Sequence, residues 1–233
     1  MTSESGATPS PGSRGNPEPP VTAAHLLSVN VTADLHEGAA WTGAQGRSGI
    51  DKRPFDGPRL LAGDAVQGDS VINRKHHGGP WQAVYAYARE DADWWETRLG
   101  IDIPSGSFGE NLTTAGADLT NAVIGEIWRV GSATLRVTVP RIPCRTFAGF
   151  WGRSDLVKLF TAARRPGAYL RIVDEGEVRA GDAIEVVECP TDSPTLAQAF
   201  ACRTGDRSQI ELLRRATDLP PDWQKWLATA TSG

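Results

Sequence analysis

Four short stretches of this chain hold side chains that could do chemistry. The first is Pro140-Arg141-Ile142-Pro143-Cys144. A thiolate is both a nucleophile and a soft metal ligand, and the flanking Arg141 and Arg145 would favour its charged form. Two prolines stiffen the connector, so the thiol is positioned rather than mobile. The plain alternative is a buried packing cysteine. The second stretch is Arg74-Lys75-His76-His77-Gly78-Gly79-Pro80. Its cations and glycines could line an anion site, because glycine lets backbone N–H groups approach a ligand closely. Adjacent histidines in extended chain point to opposite sides, so His76 and His77 are not expected on one metal. A solvated basic turn would look the same. The third is Ser48-Gly49-Ile50-Asp51-Lys52, where Lys52 could meet a phosphate as a point charge or simply lie on the surface. The fourth is Phe108-Gly109-Glu110-Asn111-Leu112, where the Asn111 amide could read a heterocycle edge or satisfy a turn.

Regular elements must hold these stretches in place. Residues 133–139, ATLRVTV, alternate strictly and predict a half-buried strand, paired as a hairpin with VIGEIWRVG before it. Pro140 has no N–H to donate and should end the ladder, which places Cys144 just beyond a strand end. Residues 24–31, 81–87, 168–174 and 183–188 also predict strands. Helices are expected at 89–100, closing on Gly100, and from a Ser154 cap to about Arg164. The Gly-rich stretch 42–69 is expected to turn at Pro54, Gly57 and Gly63. Many short strands with Gly and Pro between them suggest a barrel or sandwich. After Pro190 the pattern changes to three short helices over 193–203, 206–217 and 220–230, with Ser193 and Asp206 as caps. The division expected is a disordered tail at 1–22, a β-rich domain at 23–189 and a helical appendage at 190–233.

Composition narrows the class. The chain has 233 residues, 39% hydrophobic and 22% charged, enough for one sizeable core. A net charge of −4 disfavours a non-specific nucleic-acid binder. No apolar run reaches membrane-spanning length, and the start has no apolar signal core. Three widely spaced cysteines, Cys144, Cys189 and Cys202, argue against a disulfide framework and for a reducing, cytoplasmic setting. Cys189 and Cys202 read as packing residues. No CxxC pair or iron–sulfur spacing occurs.

Taken together, SGIDK (48–52), GDSVINRKHHGG (68–79), AVYAYARE (83–90), GSFGENLTTAG (106–116), IGEIWRVGSATLRVT (124–138) and PRIPC (140–144) resemble the MOSC family, the domain that ends molybdenum-cofactor sulfurases. The likeness is to its YiiM-like bacterial branch, linked to hydroxylaminopurine resistance, and the helices after Pro190 resemble the three-helix domain that follows MOSC there. The resemblance implies a mainly β fold, a barrel related to that of pyruvate kinase. It implies that Cys144 binds molybdenum or carries sulfur. It makes Lys52, Arg74 and Lys75 candidates for the pterin phosphate, sets Asn111 against the pterin, and puts His76, His77 and Arg141 around the cofactor. The chemistry implied is reductive N–O cleavage in an N-hydroxylated compound, with electrons from a separate flavin or iron–sulfur reductase. A non-catalytic carrier of the cofactor, or of sulfur on Cys144, is the alternative, and a homodimer is compatible with either. Pyridoxal phosphate, an annotation of fused family members, is not expected here. Two departures stand out: Pro80-Trp81 follows the HGG where relatives often carry an acid, and Asn73 stands where an acid is frequent.

Overall fold

The computed structural model describes residues 23–74, 77–216 and 218–231. The expected disordered tail at 1–22, and Lys75 and His76, lie outside the described residues. Among the described residues eleven strands run in chain order: β1 His25–Glu37, β2 Arg47–Pro54, β3 Arg59–Ala62, β4 Ala65–Val66, β5 Val84–Ala88, β6 Leu112–Ala115, β7 Ile127–Val130, β8 Ala133–Pro140, β9 Ala168–Asp174, β10 Gly176–Val178 and β11 Ile184–Glu188. Six α-helices among the described residues accompany them: α1 Arg89–Leu99, α2 Arg145–Phe150, α3 Leu156–Ala163, α4 Leu196–Arg203, α5 Ile210–Leu213 and α6 Pro221–Thr229. Eight strands form one sheet in the order β11-β7-β8-β9-β5-β6-β1-β2, and β10-β3-β4 form a second.

The large sheet is open, which corrects the expected closed barrel. Its ladder stops short of closure because the first turn of β1 meets the start of β11 only through an isolated bridge, His25 to Ala183. Three backbone hydrogen bonds of 2.8–2.9 Å span that seam, between Ala24–Leu26 and Gly181–Ile184. Beyond it β11 turns four exposed residues outward and β1 continues into its pairing with β2.

The central strand explains the position of the core. Every residue of β5, Val-Tyr-Ala-Tyr-Ala, is buried, so both faces of the sheet are covered there. Tyr85 and Tyr87 are tolerated because their hydroxyls donate to Pro166 O and Arg165 O at 2.9 and 3.1 Å. Tyr87 stacks on Phe108 with centroids 4.0 Å apart, and Phe160 of α3 packs on Phe147, Trp95 and Phe200. Phe160 therefore ties together α1, α2, α3 and α4.

Several element boundaries differ from expectation for local reasons. The stretch 42–69 bends at Gly57 and turns at Gly63 as expected, but Pro54 ends a strand, the stretch carries β2, β3 and β4, and Gly49 lies inside β2. Asp155, not Ser154, is the residue before α3, and it makes no side-chain cap bond. Thr195, not Ser193, caps α4, because Thr195 and Gln198 form a reciprocal capping box. Asp206 does accept from Ser208 N, but it caps a three-residue 3-10 turn that leads into the four-residue α5, not one long helix. Cys202 is fully buried as expected, whereas Cys189 is exposed, because the outer part of β11 has no layer over it.

Phe160→Ala should cost about 3–5 kcal/mol of stability. A urea titration followed by tryptophan fluorescence checks this, and a change within about 1 kcal/mol would contradict the joining role of this ring.

Candidate functional site

The strand β8 and the connector after it deliver the thiol. Burial alternates along the first part of β8, with Ala133, Leu135 and Val137 inward, but every residue from Val137 to Pro140, its last, is buried, including Thr138, which the alternation set outward. The ladder to β9 is irregular between Val137 and Pro140. There the Thr138 hydroxyl lies 2.6 Å from Trp81 O and 3.0 Å from Tyr169 O, fastening the segment before β5 to β9. Cys144 follows with extended backbone (φ −132°, ψ 170°) immediately before α2, half-buried in the wall of a cleft. Its sulfur is 3.9 Å from His77 Nε2, and His77 Nδ1 is 2.8 Å from the Tyr169 hydroxyl. Burial pushes the Tyr169 phenol up to about 12, so it stays protonated. When that phenol donates to Nδ1, the neutral imidazole carries its proton on Nε2, facing the sulfur.

Arg141 is the cation of the cleft. It is 3% exposed, donates to Phe108 O at 2.9 Å, and lies over the Phe147 ring at 4.2 Å and the Tyr85 ring at 5.3 Å. No carboxylate pairs with it among the described residues. Burial pulls the guanidinium down, but Tyr85, Tyr169 and Cys144 around it prevail and hold it above its ordinary value. A buried, uncompensated guanidinium beside a thiol leaves positive potential for an anion.

Across the cleft lies a polar hub that sequence reading missed. Asp69 accepts from Lys52 Nζ at 2.6 Å, Thr32 Oγ1 at 2.8 Å, Thr32 N at 3.1 Å and Asn111 Nδ2 at 2.9 Å. Burial alone would raise the Asp69 carboxyl, but Lys52 and the amide and hydroxyl donors outweigh it and hold the pKa below its usual value. Lys52 is 8% exposed, so the surface alternative fails, and its charge is already balanced by Asp69. Asn111 is likewise committed: its Oδ1 accepts from Tyr85 N at 3.2 Å, and its Nδ2 also reaches Asn30 O at 3.3 Å. Both residues line the cleft, but their polar groups hold the wall together. The missed signal was the Asp of GDSVIN, whose acid pairs with the Lys of SGIDK.

The structure thus brings Cys144, His77, Arg141, Lys52 and Asn111 to one cleft, together with Tyr85, Tyr169 and Ser48. Its empty space, counted to the open mouth, is about 760 Å³. Arg74 is not among its lining residues; it is exposed, pairs with Asp64 and borders a second cleft. Arg145 begins α2 and is exposed. Lys75 and His76 lie outside the described residues. Among the described residues, no group of three His, Cys, Asp or Glu side chains converges to hold a metal.

This geometry can be set against known proteins. The model of the MOSC domain matches residues 73–185, the span from the His77 loop through Cys144 to the start of β11. YflK of Bacillus subtilis (strain 168) is 33% identical over 162 residues, covering 70% of this chain and 72% of that protein. The chain belongs to the MOSC domain family. Another relative, YiiM of Escherichia coli (strain K12), is 29% identical over 204 residues, 84% of this chain and 91% of that protein. The crystal structure of YiiM from Geobacillus stearothermophilus superposes with a TM-score of 0.72 at 24% identity, over 88% of this chain and 97% of that one. The same fold thus extends past the matched MOSC segment into the helices after Pro190. No helix among the described residues is long and apolar enough to cross a membrane.

Lys52→Met alone should cost about 3–5 kcal/mol, because it strands a buried carboxylate. The depressed Asp69 pKa adds stability that is present above the unfolded carboxyl value of about 3.9 and lost as pH falls through the folded value. Urea midpoints measured from pH 7 down to pH 3 should therefore fall more steeply in the wild type than in a Lys52→Met/Asp69→Asn variant. Parallel curves would contradict the hub.

Proposed function

We propose that this MOSC domain binds molybdenum cofactor through the Cys144 thiolate and reduces N-hydroxylated compounds. The observation that carries the reading is the pairing of one half-buried thiol with one buried, uncompensated arginine in the same cleft. A metal that arrives with the sulfur ligands of its own pterin needs one soft donor from the protein, and an anionic cofactor needs a cation. The donor set fits that group: a single thiolate suits a soft metal, and no competing cluster of hard ligands lies among the described residues.

Cys144 would hold the metal, and Arg141 would offset the negative charge gathered beside it. His77 would keep its Nε2 proton towards the sulfur while Tyr169 holds the ring, which is how a group one step removed orients a ligand. Ser48, Asn73 and backbone groups of the glycine-containing loops would contact the pterin's polar edge. When bound, the cofactor supplies two-electron chemistry at a site that can accept the oxygen of an N–O bond. The overall reaction balances as R–NHOH + 2 electrons + 2 protons giving R–NH₂ + H₂O. The electrons come from a separate flavin or iron–sulfur reductase, since the sequence carries no such motif of its own.

The test is metal and pterin analysis of protein purified from a cofactor-competent host, beside Cys144→Ala. Near-stoichiometric molybdenum and pterin in the wild type, with molybdenum lost at least tenfold in Cys144→Ala, is the expected result. Well-folded wild type without either component overturns the reading. Bound pterin without turnover by a reductase-coupled assay supports the carrier instead.

A further inference from the structure

A second cleft meets the first at Cys144. His77, Gly78, Gln82, Cys144 and Tyr169 line both, so the thiol and imidazole form a partition with open space on either side. One wall of the second cleft comes from Trp81, Pro140, Ile142 and Pro143 of the β-rich part. The other comes from the helices after Pro190: Arg203 at the end of α4, and Pro220 to Lys225 at the start of α6. Its empty space, counted to the open mouth, is about 1390 Å³, the roomier of the two.

The chemistry of the two walls differs. The β-rich wall, Trp81 with Pro140, Ile142 and Pro143, is largely apolar, and Arg171 lies 5.1 Å from the Trp81 ring. The helical wall is cationic. Arg203 lies over Trp226 at 4.8 Å and Trp223 at 5.9 Å, which fixes its guanidinium without neutralising it. Neither Arg203 nor Lys225 has a carboxylate within ion-pair distance among the described residues. The carboxylate on that wall is Asp222, and Arg74 at the rim is already paired with Asp64.

We propose that this second cleft takes the substrate, and that the substrate is an N-hydroxylated nucleotide rather than the free base. This rests on the reading of Cys144 as the cofactor ligand in the first cleft. The planar base lies along Trp81 and the proline wall, with its N–O group towards Cys144. The phosphate meets Arg203 and Lys225. The segment after Pro190 is then the specificity element of the site, supplying Arg203 and Lys225, which have no paired carboxylate among the described residues.

The experiment is calorimetric binding to the full chain as purified from a cofactor-competent host. The probes are adenosine 5′-monophosphate, adenosine and inorganic phosphate. The nucleotide should bind at least tenfold tighter than the nucleoside. Arg203→Gln/Lys225→Gln should bring the two within about twofold while leaving adenosine affinity unchanged. Lys225→Glu, at an exposed position, gives the same loss without risk to the fold. Equal affinities in the wild type, or a preference that survives the double variant, overturn the proposal. Molybdenum content is measured in each variant. Retention at the wild-type level supports a substrate phosphate, whereas its loss in Arg203→Gln/Lys225→Gln assigns the cations to the cofactor and overturns the proposal. A wild type without molybdenum that still prefers the nucleotide sinks the cofactor reading alone.

Discussion

The site depends on a single buried carboxylate. Asp69 gathers Lys52 from β2, Thr32 from β1 and Asn111 from the start of β6, so one side chain from a loop pins three neighbouring strands. The same stretch of sequence carries His77, whose Nε2 lies 3.9 Å from the Cys144 sulfur. Burying two charges is unfavourable unless each is fully satisfied, and here the remaining lone pairs of Asp69 are taken by an amide, a hydroxyl and a backbone N–H. The geometry of the cleft follows from this satisfaction. Gly49, whose Cβ would fall 2.2 Å from Ser70 O, lets the loop lie that close to β2.

Much of this frame was legible in the sequence. The strict alternation of 133–139 gave β8, and Pro140 marked its end because a missing N–H is a local fact. Gly100 closed α1 for an equally local reason, with its left-handed backbone and a 2.8 Å bond to Glu96 O. The stretches singled out for chemistry converge because the topology lays β6 beside β1, and β1 beside β2.

What stayed hidden was non-local. Whether Lys52 faces solvent or a buried acid depends on a partner 17 residues away in a loop with no periodicity. Closure of the sheet depends on how far β1 pairs with β11, which meet through the bridge of His25 to Ala183, and no pattern of hydrophobic residues encodes that. Tyr85 and Tyr169 read as ordinary strand residues; their place beside Arg141 and His77 follows from β5 and β9 being antiparallel neighbours. Likewise, Trp81 stood out only as a departure from the usual acid, and its part in a wall became visible once the helices after Pro190 were placed opposite it.

The solitary charge of Arg141 has a consequence for the life of the protein. The guanidinium lies between two aromatic rings with no paired carboxylate among the described residues, so any anion that settles beside it in the folded protein, and not in the unfolded chain, stabilises the fold by mass action. Loading and folding stability are therefore linked through one residue. The empty protein is the form more exposed to local opening and proteolysis, so the cellular level of this chain would track the supply of what it binds.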